Sequence, residues 1–155
     1  MQRYVKKLKV FINMGYELRS LSSCKRLKVS AMIFPTDCSA IYSIGYNSPP
    51  CGISNDNCSN EAGACGCVHA EANAIIKLNY DLKTKCLMYS HTMPCIRCAS
   101  MIINCHQIVG LIWLLPYRNN IGKDLLHEAG MMMINGNELE MNPDNEQILK
   151  YWKEL

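Results

Sequence analysis

The chain has 155 residues, one ordinary domain's worth and enough to bury a sizeable core. With 49 % hydrophobic and 19 % charged residues it is not an intrinsically disordered segment. A formal net charge of +3 is too small to argue for a polynucleotide partner, and suits a small anionic substrate equally well. The opening MQRYVKKLKV mixes cations with apolar residues and resembles neither a signal peptide nor a membrane span. The expectation is a soluble cytoplasmic protein without membrane contact.

Taken in chain order, residues 3–21 carry Tyr4, Val5, Leu8, Phe11, Ile12 and Leu18 near a helical period, with lysines opposite. KVSAMIF (28–34) and IYSIGY (41–46) read as strands joined by a Pro-Thr-Asp turn. Residues 47–67 form a long irregular stretch rich in Asn, Ser, Gly, Pro and Cys, a length uncommon unless something functional organises it. A helix is expected over 70–79, a strand over 86–90, a helix over 96–104 and a buried strand over 108–114. A third helix over 122–129 ends at Gly130, the residue type favoured just past a helix. A last strand spans 131–134, and the tail reads as helical from about Asn142.

Strands alternating with helices predict an α/β domain. The expected architecture is a three-layer α/β/α sandwich around a mixed five-stranded sheet, formed by residues 1–155 as a single domain.

Ten cysteines without a secretory signal favour metal over disulfides, because reducing compartments keep thiols free. Val68-His69-Ala70-Glu71 is followed by Pro94-Cys95-Ile96-Arg97-Cys98, each group opening a predicted helix. H-x-E followed by P-C-x-x-C is the recurring signature of zinc-dependent nucleobase deaminases. The chemistry suits these residue types: His69, Cys95 and Cys98 supply the three protein ligands of a catalytic zinc that keeps one open position. Cysteines three apart in a first helical turn face one side, and the amide groups and dipole at a helix start favour thiolate. Glu71, two residues past His69, belongs beside the metal as the proton carrier. Each half of the pattern is ambiguous alone, since H-x-E opens many solvated helices and C-x-x-C serves structural zinc and redox pairs.

From about Ser22 to Gly130 the chain resembles deoxycytidylate (dCMP) deaminases through SCKRLKVSAMI, GYNSPPCG, CGCVHAEANAII, PCIRCASMII and LLPYRNNIGKDLLHEAG. The resemblance implies zinc-dependent hydrolysis of dCMP to dUMP and ammonia, feeding thymidylate synthesis. It assigns Asn47 to the deoxyribose hydroxyl, Arg26 to the phosphate and Tyr117 to closure over the nucleotide. Ala70 joins them in the substrate-binding set.

Some relatives carry a second, structural zinc, which here would take Cys24, Cys58, Cys65 and Cys67 as a four-sulfur closed site. The other reading of these thiols is a reduced, mobile loop. Cys38, Cys86 and Cys105 read as small core residues. The resemblance further implies a homo-oligomer (a hexamer in related enzymes), activation by dCTP and inhibition by dTTP, with Mg2+ accompanying an allosteric nucleotide.

The chain departs from the family at Ser30, Ser48, His91 and Met93; His91 is expected near the metal mouth, where it fills space or tunes substrate binding. Alternatives are a zinc deaminase acting on another cytosine nucleotide or on a nucleic-acid base, and a zinc-binding module without catalysis. A polynucleotide editor would need a basic groove and stacking rings, and only 8 % of this chain is aromatic.

Overall fold

Apolar residues alternate along the strand segments and recur at helical spacing in the segments between them, and a computed structural model resolves these patterns into layers. It describes residues 2–61, 64–79 and 83–141. Helix α1 (Gln2–Leu18) continues into a 3-10 turn (Arg19–Leu21), and the strands β1 (Ser30–Pro35) and β2 (Ser43–Tyr46) follow. The chain then alternates: α2 (Ala70–Ile76), β3 (Cys86–Thr92), α3 (Ile96–Asn104), β4 (Ile108–Leu115), α4 (Ile121–Glu128), β5 (Met132–Asn135) and α5 (Gly136–Met141).

The sheet order is β2-β1-β3-β4-β5. β1 runs antiparallel to both β2 and β3, whereas β3, β4 and β5 are parallel. This is the mixed five-stranded sheet expected. Because side chains alternate across a strand, β3 serves two cores. Cys86 and Met88 pack with Ala74 of α2, Ile102 of α3 and Leu126 of α4. Leu87 and Tyr89 pack on the other face with Leu8 and Ile12 of α1 and Leu139 of α5. The three layers are thus α1/α5, sheet, and α2/α3/α4.

Boundaries differ in instructive places. α2 ends at Ile76, where the amide of Leu78 donates to the carbonyl of Ile75 and closes the last turn. β3 runs two residues further than expected, through His91 and Thr92, still paired to its neighbours. α5 was absent from the sequence expectation; the predicted tail helix from Asn142 lies outside the described residues. The extra length of β3 corrects the placement of His91. Its side chain falls on the α1 face, where Nδ1 lies 3.4 Å from the Tyr89 hydroxyl and the ring meets Tyr16 edge-on at 5.6 Å. It is buried there, away from the metal ligands. Among the described residues no helix is long and apolar enough to cross a membrane.

Candidate active site

Two helix starts build the site. His69 is the residue before α2 and Cys95 the residue before α3, both with extended backbone, and Cys98 lies in the first turn of α3. Their neighbouring elements dock backbone to backbone. A Cβ added at Gly45 of β2 would collide with the Ala70 carbonyl oxygen and lie 2.5 Å from the Ala74 nitrogen. One added at Gly122 of α4 would collide with the Pro94 carbonyl oxygen and lie 2.9 Å from the Cys95 carbonyl carbon. Glycine at these two positions lets α2 and α4 press against the segments that carry the ligands.

His69 Nδ1 lies 3.5 Å from Cys95 Sγ and 3.4 Å from Cys98 Sγ. Around a tetrahedral zinc, with bonds of about 2.3 Å to sulfur and 2.0 Å to nitrogen, such atoms sit roughly 3.5–3.8 Å apart. The three groups therefore fit zinc in spacing as well as in donor chemistry. The Cys98 hydrogen bond, followed by that of His69, draws the Cys95 thiol down to about 3 against burial. Cys98 is correspondingly pushed up, first by Cys95 and then by burial. The His69 ring is in turn raised, chiefly by its bond to Cys95, against burial.

Glu71 is buried one helical step beyond Ala70. Burial is the main cause holding its carboxyl above the ordinary range, with His69 and Cys98 pulling the other way. The residue lines a narrow inner recess together with His69, Ala70, Cys95, Asn47 and Arg26. This recess, about 40 Å³, has room for roughly three waters on its own. It shares His69, Cys95, Arg26 and Tyr117 with an outer chamber of about 580 Å³. The predicted substrate residues are thus brought together with the metal cup.

Asn47 has a second occupation. Its side-chain oxygen accepts from Ser22 Oγ at 2.7 Å and the Val29 amide at 2.8 Å, and its Nδ2 donates to the Leu27 carbonyl at 2.7 Å. A carboxamide nitrogen carries two donors, so one N–H remains for a ligand. The same bonds tie the 22–29 segment bearing Arg26 to the end of β2.

Three of the four sulfurs expected for a second site gather closely. Cys24, Cys58 and Cys67 lie within 4.8 Å of one another, with Cys58 Sγ 3.7 Å from Cys24 Sγ and 3.5 Å from Cys67 Sγ. Cys65 packs against this group but is not part of it. Gly66, at φ +69°, turns the backbone between Cys65 and Cys67, and Cys65 faces both chambers of the pocket instead. Burial works against ionisation of Cys24, but backbone amides of Leu27 and Arg26 and the two neighbouring thiols bring it to about 7. These spacings also match a tetrahedral zinc. Arg97 and Arg118, which line the outer chamber, were not singled out from the sequence. The signal available was their position, one between the two cysteine ligands and one directly after Tyr117.

Fold and site together define an α/β domain with a His-Cys-Cys metal cup that has a buried carboxylate beside it. The family model for the cytidine and deoxycytidylate deaminase zinc-binding region matches residues 5–114, and the chain belongs to that family. It is 26 % identical over 105 residues to the deoxycytidylate deaminase of Schizosaccharomyces pombe, covering 59 % of this chain and 32 % of that protein. It is 29 % identical over 104 residues to the Saccharomyces cerevisiae deoxycytidylate deaminase, covering 60 % and 33 %. The chain thus spans about a third of the length of these curated relatives. The dCMP deaminase of cyanophage S-TIM5, solved with dCMP and dUMP, shares the fold. That match has a TM-score of 0.70 at 24 % identity and covers 81 % of this chain and 93 % of that one.

Proposed function

We propose that this chain deaminates dCMP to dUMP and ammonia. The observation that carries the reading is the convergence of His69 Nδ1, Cys95 Sγ and Cys98 Sγ beside the buried carboxyl of Glu71, at the foot of a pocket that Arg26 enters. When bound there, zinc supplies Lewis acidity that brings the pKa of a water molecule toward neutrality. Glu71 takes the proton of the attacking water and delivers it to N3 of the cytosine ring as C4 is attacked. It then takes the proton of the hydroxyl now on C4 and passes it to the amino group, which leaves as ammonia while the C4 carbonyl forms. Burial suits the carboxyl to this exchange, because a raised affinity for protons lets it hold one between the two transfers. The remaining Asn47 N–H faces the sugar, Arg26 pairs with the 5′-phosphate through its forked donors, and Tyr117 covers the opening. Ala70 lies against the base with a methyl group that leaves room for the ring.

Ammonia release from zinc-loaded protein tests this, with dCMP set against deoxycytidine, CMP and 5-methyl-dCMP, with and without chelator. Chelator-sensitive turnover of dCMP well above deoxycytidine supports it. No turnover of any cytosine nucleotide with zinc bound overturns it in favour of a non-catalytic zinc module.

We further infer a second, structural zinc at Cys24, Cys58 and Cys67, clipping the long loop to the segment before β1. It would appear as two zinc ions per chain in elemental analysis. The chain is also read as a cytoplasmic homo-oligomer regulated by dCTP and dTTP, with Mg2+ accompanying the regulatory nucleotide. A monomeric sedimentation profile, or saturation curves unmoved by either nucleotide, would remove those parts.

A further inference from the structure

The phosphate reading uses one cation, Arg26, but the structure brings two more to the same opening. Arg97, between the two cysteine ligands, and Arg118, after Tyr117, are both exposed and both line the outer chamber. Neither lines the inner recess, whereas Arg26 lines both. Among the described residues the outer chamber has no carboxylate in its wall, and Glu71 at the foot of the recess is the only one in either. Among the described residues, none of the three arginines takes part in an ion pair. The Arg118 guanidinium lies 5.5 Å from the centre of the Tyr117 ring, which ties it to the rim.

We propose that Arg97 and Arg118 form a second anion subsite beyond Arg26 that accepts the β-phosphate of a cytosine or uracil nucleoside diphosphate. The inference rests on the nucleotide reading above and widens its substrate class. Depth sets the order of contacts: base toward Glu71, first phosphate at Arg26, second at Arg97 and Arg118. Charge agrees with it. A phosphomonoester carries about −2 and a diphosphate about −3, against three guanidiniums. Arginine's planar fork suits phosphate oxygens, and a chamber of about 580 Å³ lies within the range that holds compact ligands. A single strand of nucleic acid fits less well, because among the described residues Tyr117 is the only Phe, Tyr or Trp lining either chamber and strand binding relies on several stacking rings.

The test is calorimetric binding to zinc-loaded protein of dUMP and dUDP, which carry the product base and do not turn over. Inorganic pyrophosphate and a short oligo-dU serve as further probes. The expected result is dUDP binding about tenfold tighter than dUMP, the equivalent of one added charge-assisted contact. That ratio should fall to near one in the double variant Arg97→Ala/Arg118→Ala. A ratio near one in the unmutated protein, or one that survives the double substitution, overturns the subsite. Failure of both nucleotides to bind defeats the nucleotide reading itself. Pyrophosphate then decides the subsite: binding lost in the double variant keeps it, and binding absent or unchanged overturns it. Oligo-dU binding tighter than dUDP and lost in the double variant replaces the diphosphate with a strand path.

Discussion

His69, Cys95 and Cys98 come from two helix starts that the sheet and two glycine contacts hold in place, and they open onto a large chamber. Cys24, Cys58 and Cys67 come from irregular segments, and two of the three are buried. The sulfur and nitrogen spacings in the two groups are nearly the same. The surroundings differ: one group has all three ligands on the chamber wall and a buried carboxylate beside it, and the other reaches the chamber only through Cys67, with Cys24 and Cys58 buried. Ligand spacing fits zinc in both places, while access and a neighbouring carboxylate mark only the first as suited to chemistry.

Five substitutions, the last read across a pH series, test this contrast. The largest effect is expected from Cys98→Ala, which removes a ligand from the open cup. Elemental analysis should find that site empty and ammonia release should be undetectable. Glu71→Gln should keep both metals and reduce turnover by about 10²–10⁴-fold, the usual worth of a positioned acid–base group. Zinc loss in that variant would make Glu71 a ligand.

Cys58→Ser attacks the closed group. It should remove one zinc, lower stability by roughly 2–4 kcal/mol, the scale of a lost cross-link over a comparable loop, and reduce turnover less than Cys98→Ala does. Equal loss of activity in the two variants would erase the distinction between the sites. Gly122→Ala should cost about 1–3 kcal/mol through overpacking against Pro94 and Cys95, read from denaturant midpoints, and should weaken zinc retention in chelator competition.

The smallest effect belongs to His91, which lies outside both clusters. Burial, then Arg19, lowers its pKa, so the folded protein favours the neutral ring packed by Tyr89 and Tyr16. The unfolded chain binds that proton from about pH 6.5 downward. His91 therefore contributes stability above that pH and loses it as the pH falls, by at most about 1.4 kcal/mol per unit. In zinc-loaded protein, His91→Gln should flatten the decline in melting temperature between pH 6.5 and 5; an unchanged slope would place the titration elsewhere.

The open cup was legible because each of its parts has a local signature: extended residues before a helix, cysteines one turn apart, a carboxylate two positions after the histidine. The sheet was legible for a similar reason, as the segments 86–90 and 108–114 are short, largely apolar runs between polar flanks. His91 was misplaced because stopping β3 at Ser90 hid the alternation that carries residue 91 to the α1 face. α5 was missed because Gly136-Asn137 reads as a turn and six residues hold no full amphipathic period. The different setting of Cys65 was not legible, because spacing alone does not reveal the left-handed turn at Gly66. Arg97 and Arg118 are surface cations in sequence, and only the chamber wall distinguishes them from Lys25 or Lys28.

The tight docking at Gly45 and Gly122 has a consequence for how such a protein can diverge. The metal cup is located by main-chain contacts that tolerate no side chain, whereas Arg97 and Arg118 project from exposed positions at the rim. Substitutions at the rim can therefore accumulate without disturbing the cup. A lineage would be free to change the charge pattern of the rim while the metal cup stays fixed, and a library confined to those two positions would sample new ligands at little risk to folding.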